Sequence, residues 1–328
     1  MPHSIANVIP PSGWICLDSS GNTIEPSKAI MSLDNRGLAY GDGFFTTMGV
    51  IDGQVLWLDY HHQRLVSHAN ALQLNINSEE LLAVLQLYAQ QLQQGMLKLI
   101  VTRSTQDIRG YGYMPSTSGS ACDIWLKCSA MTVATAEPLC LPDGRSIPIQ
   151  PSSAAICLSS QLSCLPPPLA GLKSLNRLDN VLASGELQGI KAQILKSNTE
   201  QSIGEGLLRD MSGQWVEGTM SNVFYQLSES PFAKSASEKP STLPAYQGNA
   251  NYLTTGQWYT PSMTQSGVDG VMRQVIIDAL SSTEYPVVIR PLTDEDLPKL
   301  TQLFFCNALR GIMPMRSLTL LSGEVVDF

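Results

Sequence analysis

The sequence predicts an α+β protein of two domains, and three observations support this fold class. The chain has 328 residues, which at about 150 residues per domain suggests two domains. Its first part combines a hairpin, helices and a strand, and its later part places strands after a long helical segment. Between them, residues 131–150 are rich in Ala, Thr and Pro. We therefore predict a small N-terminal α/β domain at 1–130, a linker at 131–150 and a larger domain at 151–328.

The first predicted element is a β-hairpin with Asp52-Gly53 at its turn. Asp-Gly between β-branched and aromatic runs favours a type I′ turn, because both central residues of that turn need positive φ. Side chains alternate along a strand, so Phe45, Thr47 and Gly49 are expected on one face.

Two helices are predicted from capping residues and apolar spacing. Asp59 is a predicted N-cap for a helix that carries Arg64. Ser174 is a predicted N-cap for a second helix, with Leu178 and Leu182 on its apolar face.

Later segments are less regular. Two strands are predicted on either side of Ser212-Gly213. Residues 227–256 contain Ser, Pro, Gln and Asn with little periodicity, which is typical of a surface insertion or mobile loop.

Composition excludes several kinds of partner. The chain has 20 basic and 28 acidic side chains, a formal charge of −8, and no run of Lys or Arg, which argues against nucleic acid. The seven cysteines are scattered without a C-x-x-C pair, which favours reduced thiols over disulfides or zinc. Neither a signal peptide nor about 18 consecutive apolar residues occurs. We expect no membrane partner and a cytoplasmic location.

Lys173 is the first candidate for chemistry. It directly precedes the predicted helix at Ser174, whose positive dipole end should lower the pKa of the ammonium. An amine that is neutral near pH 7 is what Schiff-base chemistry requires. The alternative is a solvated lysine at a helix start, since most lysines lie at the surface.

Glu217 is the second candidate. It ends a predicted strand and is followed by small hydroxyl and amide residues, including Ser221 and Asn222. A carboxylate in this position is suited to holding a protonated ring nitrogen. Alternatively it is a solvated acidic strand end.

A third candidate is the segment Gly267-Val268-Asp269-Gly270, which leads into an amphipathic helix. Backbone N–H groups at a helix N-terminus can bind phosphate, and the Arg64 guanidinium is a suitable matching cation. The segment matches neither the dinucleotide nor the Walker fingerprint, so an ordinary helix entry and a surface arginine remain alternatives.

Metal and serine chemistry are not indicated. His61, His62 and His68 lie close together on the first helix but lack Cys, Asp or Glu at ligand spacing. The chain also lacks the G-x-S-x-G signature of serine hydrolases. We therefore predict no metal site.

Six segments together resemble the fold-type IV pyridoxal-phosphate enzymes, which include D-amino-acid and branched-chain aminotransferases and aminodeoxychorismate lyases. The resemblance covers nearly the whole chain outside the predicted insertion. The shared segments are DNRGLAYGDGFFTT (34–47), HHQRL (61–65), KSLNRLDNVLAS (173–184), EGTMSNVF (217–224), GVDGVMRQ (267–274) and FFCNALRGIMPM (304–315). The resemblance implies a larger domain that is β-barrel-like with helices, a homodimer, and pyridoxal 5′-phosphate as cofactor.

The resemblance also implies a role for each matching residue. The cofactor-binding residues it implies are Lys173 as the Schiff-base lysine, Glu217 at the pyridine nitrogen, Arg64 at the phosphate, the backbone amides of Val268 and Asp269, the Asn307-Ala308 turn, and Asn222.

Within the family, the segments most resemble the aminodeoxychorismate lyases. The threonine pair at 46–47 differs from the Glu that many transaminases carry, and residues 102–113 resemble the lyase segment with Arg, Gly and Tyr. The resemblance implies that Thr47 relays a proton and that Arg109 and Tyr111 meet a substrate carboxylate. One departure is Gly49, where many relatives have arginine.

The implied reaction converts 4-amino-4-deoxychorismate to 4-aminobenzoate and pyruvate, a step of folate synthesis. Two alternatives stay open. One is a D-amino-acid or branched-chain aminotransferase on the same fold, and the other is a cofactor-binding protein without turnover.

Overall fold

The structure is a computed structural model that describes residues 12–18, 31–133, 138–196, 202–228 and 252–328. Within these residues the chain forms two compact units. The first unit ends at Val133 and also takes in Lys173–Asn176, and the other described residues form the second unit.

The first unit is a five-stranded antiparallel sheet with helices on one face. Its strand order is β1-β5-β4-β2-β3. Its elements are β1 (Ser12–Leu17), α1 (Arg36–Tyr40), β2 (Gly43–Ile51), β3 (Gln54–Val55), α2 (Leu58–Ala71), α3 (Ser78–Leu92), β4 (Gly95–Arg103) and β5 (Cys122–Ala130). Helices α2 and α3 pack on the sheet and bury Phe44, Met48, Leu65 and Leu85 between them. This core leaves the opposite face of β2, with Phe45 and Thr47, only partly covered within the unit.

The predicted hairpin is present and joins β2 to β3. Asp52 and Gly53 have φ values of 51° and 71°, as the predicted turn requires. The predicted N-cap Asp59 is wrong, because α2 begins at Leu58 and its N-cap is Trp57. Asp59 instead lies in the first turn, where a carboxylate interacts favourably with the helix dipole.

The second unit contains a barrel-like sheet of nine strands. Its elements are β6 (Pro138–Cys140), β7 (Ser146–Pro148), β8 (Ser153–Leu162), α4 (Leu178–Lys196), β9 (Ile203–Asp210), β10 (Trp215–Gly218), β11 (Asn222–Leu227), β12 (Tyr259–Thr260), α5 (Val271–Leu280), β13 (Val288–Ile289), a 3₁₀-helix (Leu297–Lys299), β14 (Leu300–Asn307), β15 (Gly311–Thr319) and β16 (Val325–Asp327). Strands β10, β9, β8, β15, β14 and β11 pair in that order, and β10 also pairs with β11. The six strands therefore close into a ring, which removes exposed edges.

The core of the second unit is aromatic, with Trp215, Tyr225 and Phe305 fully buried in its largest cluster. Helix α4 packs on β8 and β9 through Ala183 and Leu187. The predicted turn at Ser212-Gly213 joins β9 to β10, which are antiparallel.

Two predicted segments differ from the structure or lie outside it. The predicted linker at 131–150 contains the hairpin of β6 and β7, in which Leu139 and Ile147 are buried. Of the predicted insertion at 227–256, residues 229–251 lie outside the described residues. None of the described helices combines the length and apolarity needed to span a membrane.

Candidate active site

Lys173 lies in an extended segment beside β2, in the first unit. The Phe45 N–H donates to the Lys173 carbonyl at 3.0 Å, and the Leu175 N–H donates to the Gly43 carbonyl at 3.0 Å. The Lys173 N–H donates to Nε2 of His68 at 2.9 Å. The Lys173 ammonium lies 4.6 Å from the centre of the Phe45 ring, which is favourable for a cation over an aromatic face. Main chain and side chain of this lysine are thus both held by the first unit.

The predicted helix start at Ser174 is wrong. Ser174 forms an isolated antiparallel bridge with Phe44, and α4 begins only at Leu178. Pairing with the first residues of β2, on the side where β3 pairs only with Val50 and Ile51, satisfies the backbone of 173–175 in extended form, so tertiary context overrides the capping signal. The predicted apolar positions Leu178 and Leu182 are 77% and 70% exposed. The predicted lowering of the pKa of Lys173 by this helix therefore loses its basis, because the field of a helix dipole is confined to the first turn.

Arg64 lies on α2 in a buried polar group. Its side chain is 7% exposed, and Nη1 donates to the Thr46 hydroxyl at 3.5 Å. The same hydroxyl is hydrogen bonded to Nδ1 of His61 at 2.8 Å. Burial, and then the charges of Arg64 and Lys173, lower the pKa of His61 well below its usual value. His61 is therefore neutral at pH 7, so Arg64 carries the positive charge of this group.

The paired threonines lie on opposite faces of β2. Thr46 is fully buried against α2, whereas Thr47 is half-buried on the same face as Phe45. Thr47 follows Phe45 by two residues, a rise of about 7 Å along the strand. Because the Lys173 ammonium contacts the Phe45 ring, Thr47 belongs to the sheet face on which this amine lies.

The segment with Arg109 and Tyr111 is a loop anchored by Arg36. The Arg36 guanidinium is buried and donates to the carbonyls of Gly112 and Tyr111 at 3.0 and 3.1 Å. Arg109 and Tyr111 themselves have exposed side chains, and the Tyr111 ring is 5.1 Å from that of Tyr40. The structure thus fixes the main chain of this loop and leaves both predicted substrate-binding side chains accessible within the unit.

Glu217 lies at the end of β10 in the second unit and is 3% exposed. Its Oε2 accepts the Val268 N–H at 2.8 Å, and its Oε1 accepts from Nδ2 of Asn180 at 3.3 Å. An ionised carboxylate has about four acceptor sites, so one oxygen can accept more than one N–H group. The two bonds from Val268 and Asn180 fix the orientation of the carboxylate.

The backbone amides of Val268 and Asp269, which are predicted to bind phosphate, both donate to protein acceptors in this structure. The Val268 N–H donates to Glu217, and the Asp269 N–H donates to the Gly171 carbonyl at 2.9 Å. Both amides therefore already have protein acceptors. The helix itself begins later, at Val271, with Gly270 as an N-cap that provides no side-chain hydrogen bond. First-turn N–H groups of a helix lack intrahelical acceptors, and those of Val271 and Met272 are the first of this helix.

Asn222 supports this helix start. Its Nδ2 donates to the Val268 carbonyl at 2.8 Å, and the residue is 4% exposed. A Cβ on Gly270 would lie 1.8 Å from Oδ1 of Asn222, so only glycine fits there without displacing the amide.

The Asn307-Ala308 turn joins β14 to β15. Oδ1 of Asn307 accepts the N–H groups of Leu309 and Arg310 at 3.1 and 2.8 Å. The Asn307 side chain is thus occupied in holding its own turn, and any ligand contact here falls to main-chain groups such as those of Ala308.

Replacing Gly270 with alanine is expected to weaken cofactor binding about tenfold, because the Asn222 amide would have to leave its buried contact with Val268. Titration of the cofactor-free protein, followed by absorbance, measures this. Gly189→Ala is the matched control, since a Cβ on this glycine of α4 meets nothing within 4 Å. Equal affinity of both variants would contradict the role given to Gly270.

Four residues that contact the predicted site residues were not identified from the sequence. They are Thr46 and His61 near Arg64, His68 at Lys173, and Asn180 at Glu217. The spacing of His61, Arg64 and His68, three and four residues apart, places them on one face of α2 and could have identified the two histidines. Asn180 has no comparable signal. No group of three or more His, Cys, Asp or Glu side chains that could hold a metal occurs among the described residues.

The comparisons with known proteins cover residues of both units. A family model described as amino-transferase class IV matches residues 43–318. The chain is 27% identical over 313 residues to a putative branched-chain-amino-acid aminotransferase of Methanocaldococcus jannaschii, covering 94% of this chain and 88% of that one. It is 23% identical over 297 residues to an aminodeoxychorismate lyase of Vibrio harveyi, covering 90% of each.

Among solved structures, 4-amino-4-deoxychorismate lyase from Pseudomonas aeruginosa aligns with a TM-score of 0.65 and 28% identity, covering 93% of this chain and 91% of that chain. This similarity confirms the predicted α+β class with a barrel-like larger part.

Proposed function

Because the chain belongs to the class IV aminotransferase family, whose members use pyridoxal 5′-phosphate, we propose that it is an aminodeoxychorismate lyase. In this proposal it converts 4-amino-4-deoxychorismate to 4-aminobenzoate and pyruvate. Family and cofactor, both predicted from the sequence, are confirmed by the family match. The choice of the lyase over an aminotransferase is the proposal.

The residues present fit the cofactor. Glu217 is a buried carboxylate with acceptor capacity for a pyridinium N–H. Arg64 in the first unit provides a guanidinium, and the start of α5 in the second unit provides backbone amides; each kind of group binds phosphate readily. Lys173 supplies the amine for covalent attachment.

When bound, the cofactor supplies an electron sink for the pair released when the carbon bearing the amine loses its proton. Lys173 Nζ takes that proton, acting as general base. Glu217 keeps a proton on the ring nitrogen, which strengthens the sink. As the C–O bond to the enolpyruvyl group breaks, the Thr47 hydroxyl relays the proton taken up by Lys173 to the departing group, which leaves as pyruvate. Formation of the aromatic ring drives this elimination. Arg109 and Tyr111 bind a substrate carboxylate.

One observation carries the choice of the lyase: Thr47 shares a sheet face with Phe45, on whose ring the Lys173 ammonium lies. A hydroxyl on the same sheet face as the base suits an elimination that must protonate a leaving group. The similarity of this chain to the Pseudomonas and Vibrio lyases supports the same choice.

The second candidate is a branched-chain or D-amino-acid aminotransferase, favoured by the similarity to the Methanocaldococcus protein. Gly49, where many relatives have arginine, lies buried opposite Met96 and offers no polar side chain to either substrate. The homodimer implied by the family resemblance and the cytoplasmic location expected from the composition stay predictions.

Replacing Thr47 with valine is expected to lower kcat for 4-aminobenzoate formation about a hundredfold, because a positioned proton donor contributes about 10²–10⁴-fold. Cofactor binding should remain unchanged, since no cofactor contact is assigned to Thr47. Thr47→Ser, which keeps the hydroxyl, is the control and should retain activity within about threefold on the same reasoning. A valine variant as active as the serine variant would exclude the proton-relay role.

The two candidate functions are distinguished by competing assays on one preparation. We expect 4-aminobenzoate from aminodeoxychorismate, and much slower oxo-acid formation from leucine or D-alanine with 2-oxoglutarate. Rapid oxo-acid formation without 4-aminobenzoate would replace the lyase proposal with the aminotransferase.

A further inference from the structure

We propose that His68 is a positioning residue that fixes the backbone of Lys173 relative to helix α2 and so sets the stability of the lysine-bound cofactor. This inference rests on the proposed role of Lys173. It concerns a contact that lies wholly within the first unit.

The main chain of Lys173 is held by two hydrogen bonds. Its N–H donates to Nε2 of His68 at 2.9 Å, and its carbonyl accepts the Phe45 N–H at 3.0 Å. One bond comes from α2 and the other from β2, so the lysine main chain is fastened on both sides. Lys173–Asn176 belong to the first unit although their neighbours in sequence belong to the second. A short segment of this kind depends on such bonds for its placement.

Hydrogen bonds at both ring nitrogens fix the orientation of the His68 imidazole. Because Nε2 accepts a hydrogen bond, the ring proton of a neutral His68 is on Nδ1. Nδ1 is 3.1 Å from the Ser67 hydroxyl, which itself donates to the Arg64 carbonyl at 3.1 Å. Donors and acceptors therefore alternate without conflict from Lys173 through His68 and Ser67 to Arg64.

Packing also restrains the His68 ring. His68 is 4% exposed, and its ring meets that of Phe44 edge to face at a centroid distance of 5.4 Å. A ring held in this way has little rotational freedom. His68 is thus a rigid connection between the helix that carries Arg64 and the residue that carries the amine, the groups assigned to the phosphate and to the covalent attachment of the cofactor.

The experiment compares two substitutions of His68, one that keeps an acceptor for the Lys173 N–H and one that removes it. Gln at position 68 can place Oε1 where Nε2 lies and so accept the Lys173 N–H, whereas Asn is shorter and cannot reach it. Asn70→Ala is the matched control, because Asn70 is exposed on the same helix two residues away.

Two readouts are used: amide hydrogen exchange of the peptide containing Lys173 in the cofactor-free protein, and the rate at which the lysine-bound absorbance band decays after dilution into a carbonyl trap. For His68→Asn we expect both rates to rise about tenfold, as loss of one buried hydrogen bond implies. His68→Gln should stay within about threefold of the wild type by the same estimate, and Asn70→Ala should be unchanged.

The proposal is overturned if His68→Asn matches the wild type, or if Gln and Asn are equally impaired. If His68→Asn does not fold, Ser67→Ala, an exposed position that removes the support of Nδ1, should still accelerate both rates, and unchanged rates would overturn the proposal. A wild-type protein that binds no cofactor on Lys173 would refute the proposed function, while the hydrogen-exchange arm would still decide the His68 contact.

Discussion

Replacing Lys173 with alanine is expected to lower 4-aminobenzoate formation by about 10⁴-fold and to abolish the yellow absorbance of lysine-bound cofactor. The variant loses both covalent attachment and the base that removes the proton, and a positioned acid–base group alone contributes about 10²–10⁴-fold. Product assay and absorbance spectrum measure the two losses separately.

The control for this variant is Lys196→Ala, at the exposed end of α4, which should leave both quantities unchanged. A purified Lys173→Ala protein that keeps its absorbance and its turnover would show that another residue carries the cofactor.

Replacing Glu217 with glutamine is expected to lower kcat about a hundredfold, at the lower end of the range for positioned proton-transfer groups. Glutamine does not keep the ring nitrogen protonated. The Val268 N–H and Asn180 Nδ2 both donate to the carboxylate, so the NH2 group of glutamine would face one of these two donors. Steady-state kinetics and the cofactor spectrum measure the effect.

Glu324→Gln is the matched control, because Glu324 is exposed in the turn before β16 and should have no effect on kcat. Full activity of Glu217→Gln would exclude the pairing of this carboxylate with the ring nitrogen.

Local features of the first unit could be predicted from the sequence because their signals are short in range. Asp52-Gly53 specifies its turn through backbone φ alone. Alternation along β2 correctly placed Phe45 and Thr47 on one face. The sequence did not reveal that Thr46 faces a buried histidine and Arg64, because that contact depends on how α2 packs on the sheet.

Errors occurred where long-range pairing replaces a local signal. Ser174 resembles a helix cap, but residues 173–175 pair in extended form with the first residues of β2. The amides of Val268 and Asp269 bind Glu217 and Gly171, which lie 51 and 98 residues away, and no local signal predicts these contacts. His68 was considered only as a metal ligand, because nothing local indicates that it meets Lys173, 105 residues later.

Single residues carried less information about chemistry than their combination. Lys173, Glu217 and Arg64 each have an ordinary surface alternative in isolation, and all three are at least partly buried in the structure. The segments around them, taken together, gave the family and the cofactor.

The measurement that tests the central claim most directly is product stoichiometry over many turnovers with no oxo acid added. An aminotransferase stops after one turnover without an amino acceptor, whereas a lyase regenerates its cofactor in each cycle. We predict that aminodeoxychorismate gives 4-aminobenzoate and pyruvate in equal amounts, far beyond the amount of enzyme, and that Lys173→Ala gives neither. Turnover that requires an added oxo acid, or that ends at one equivalent of product, would contradict the lyase assignment.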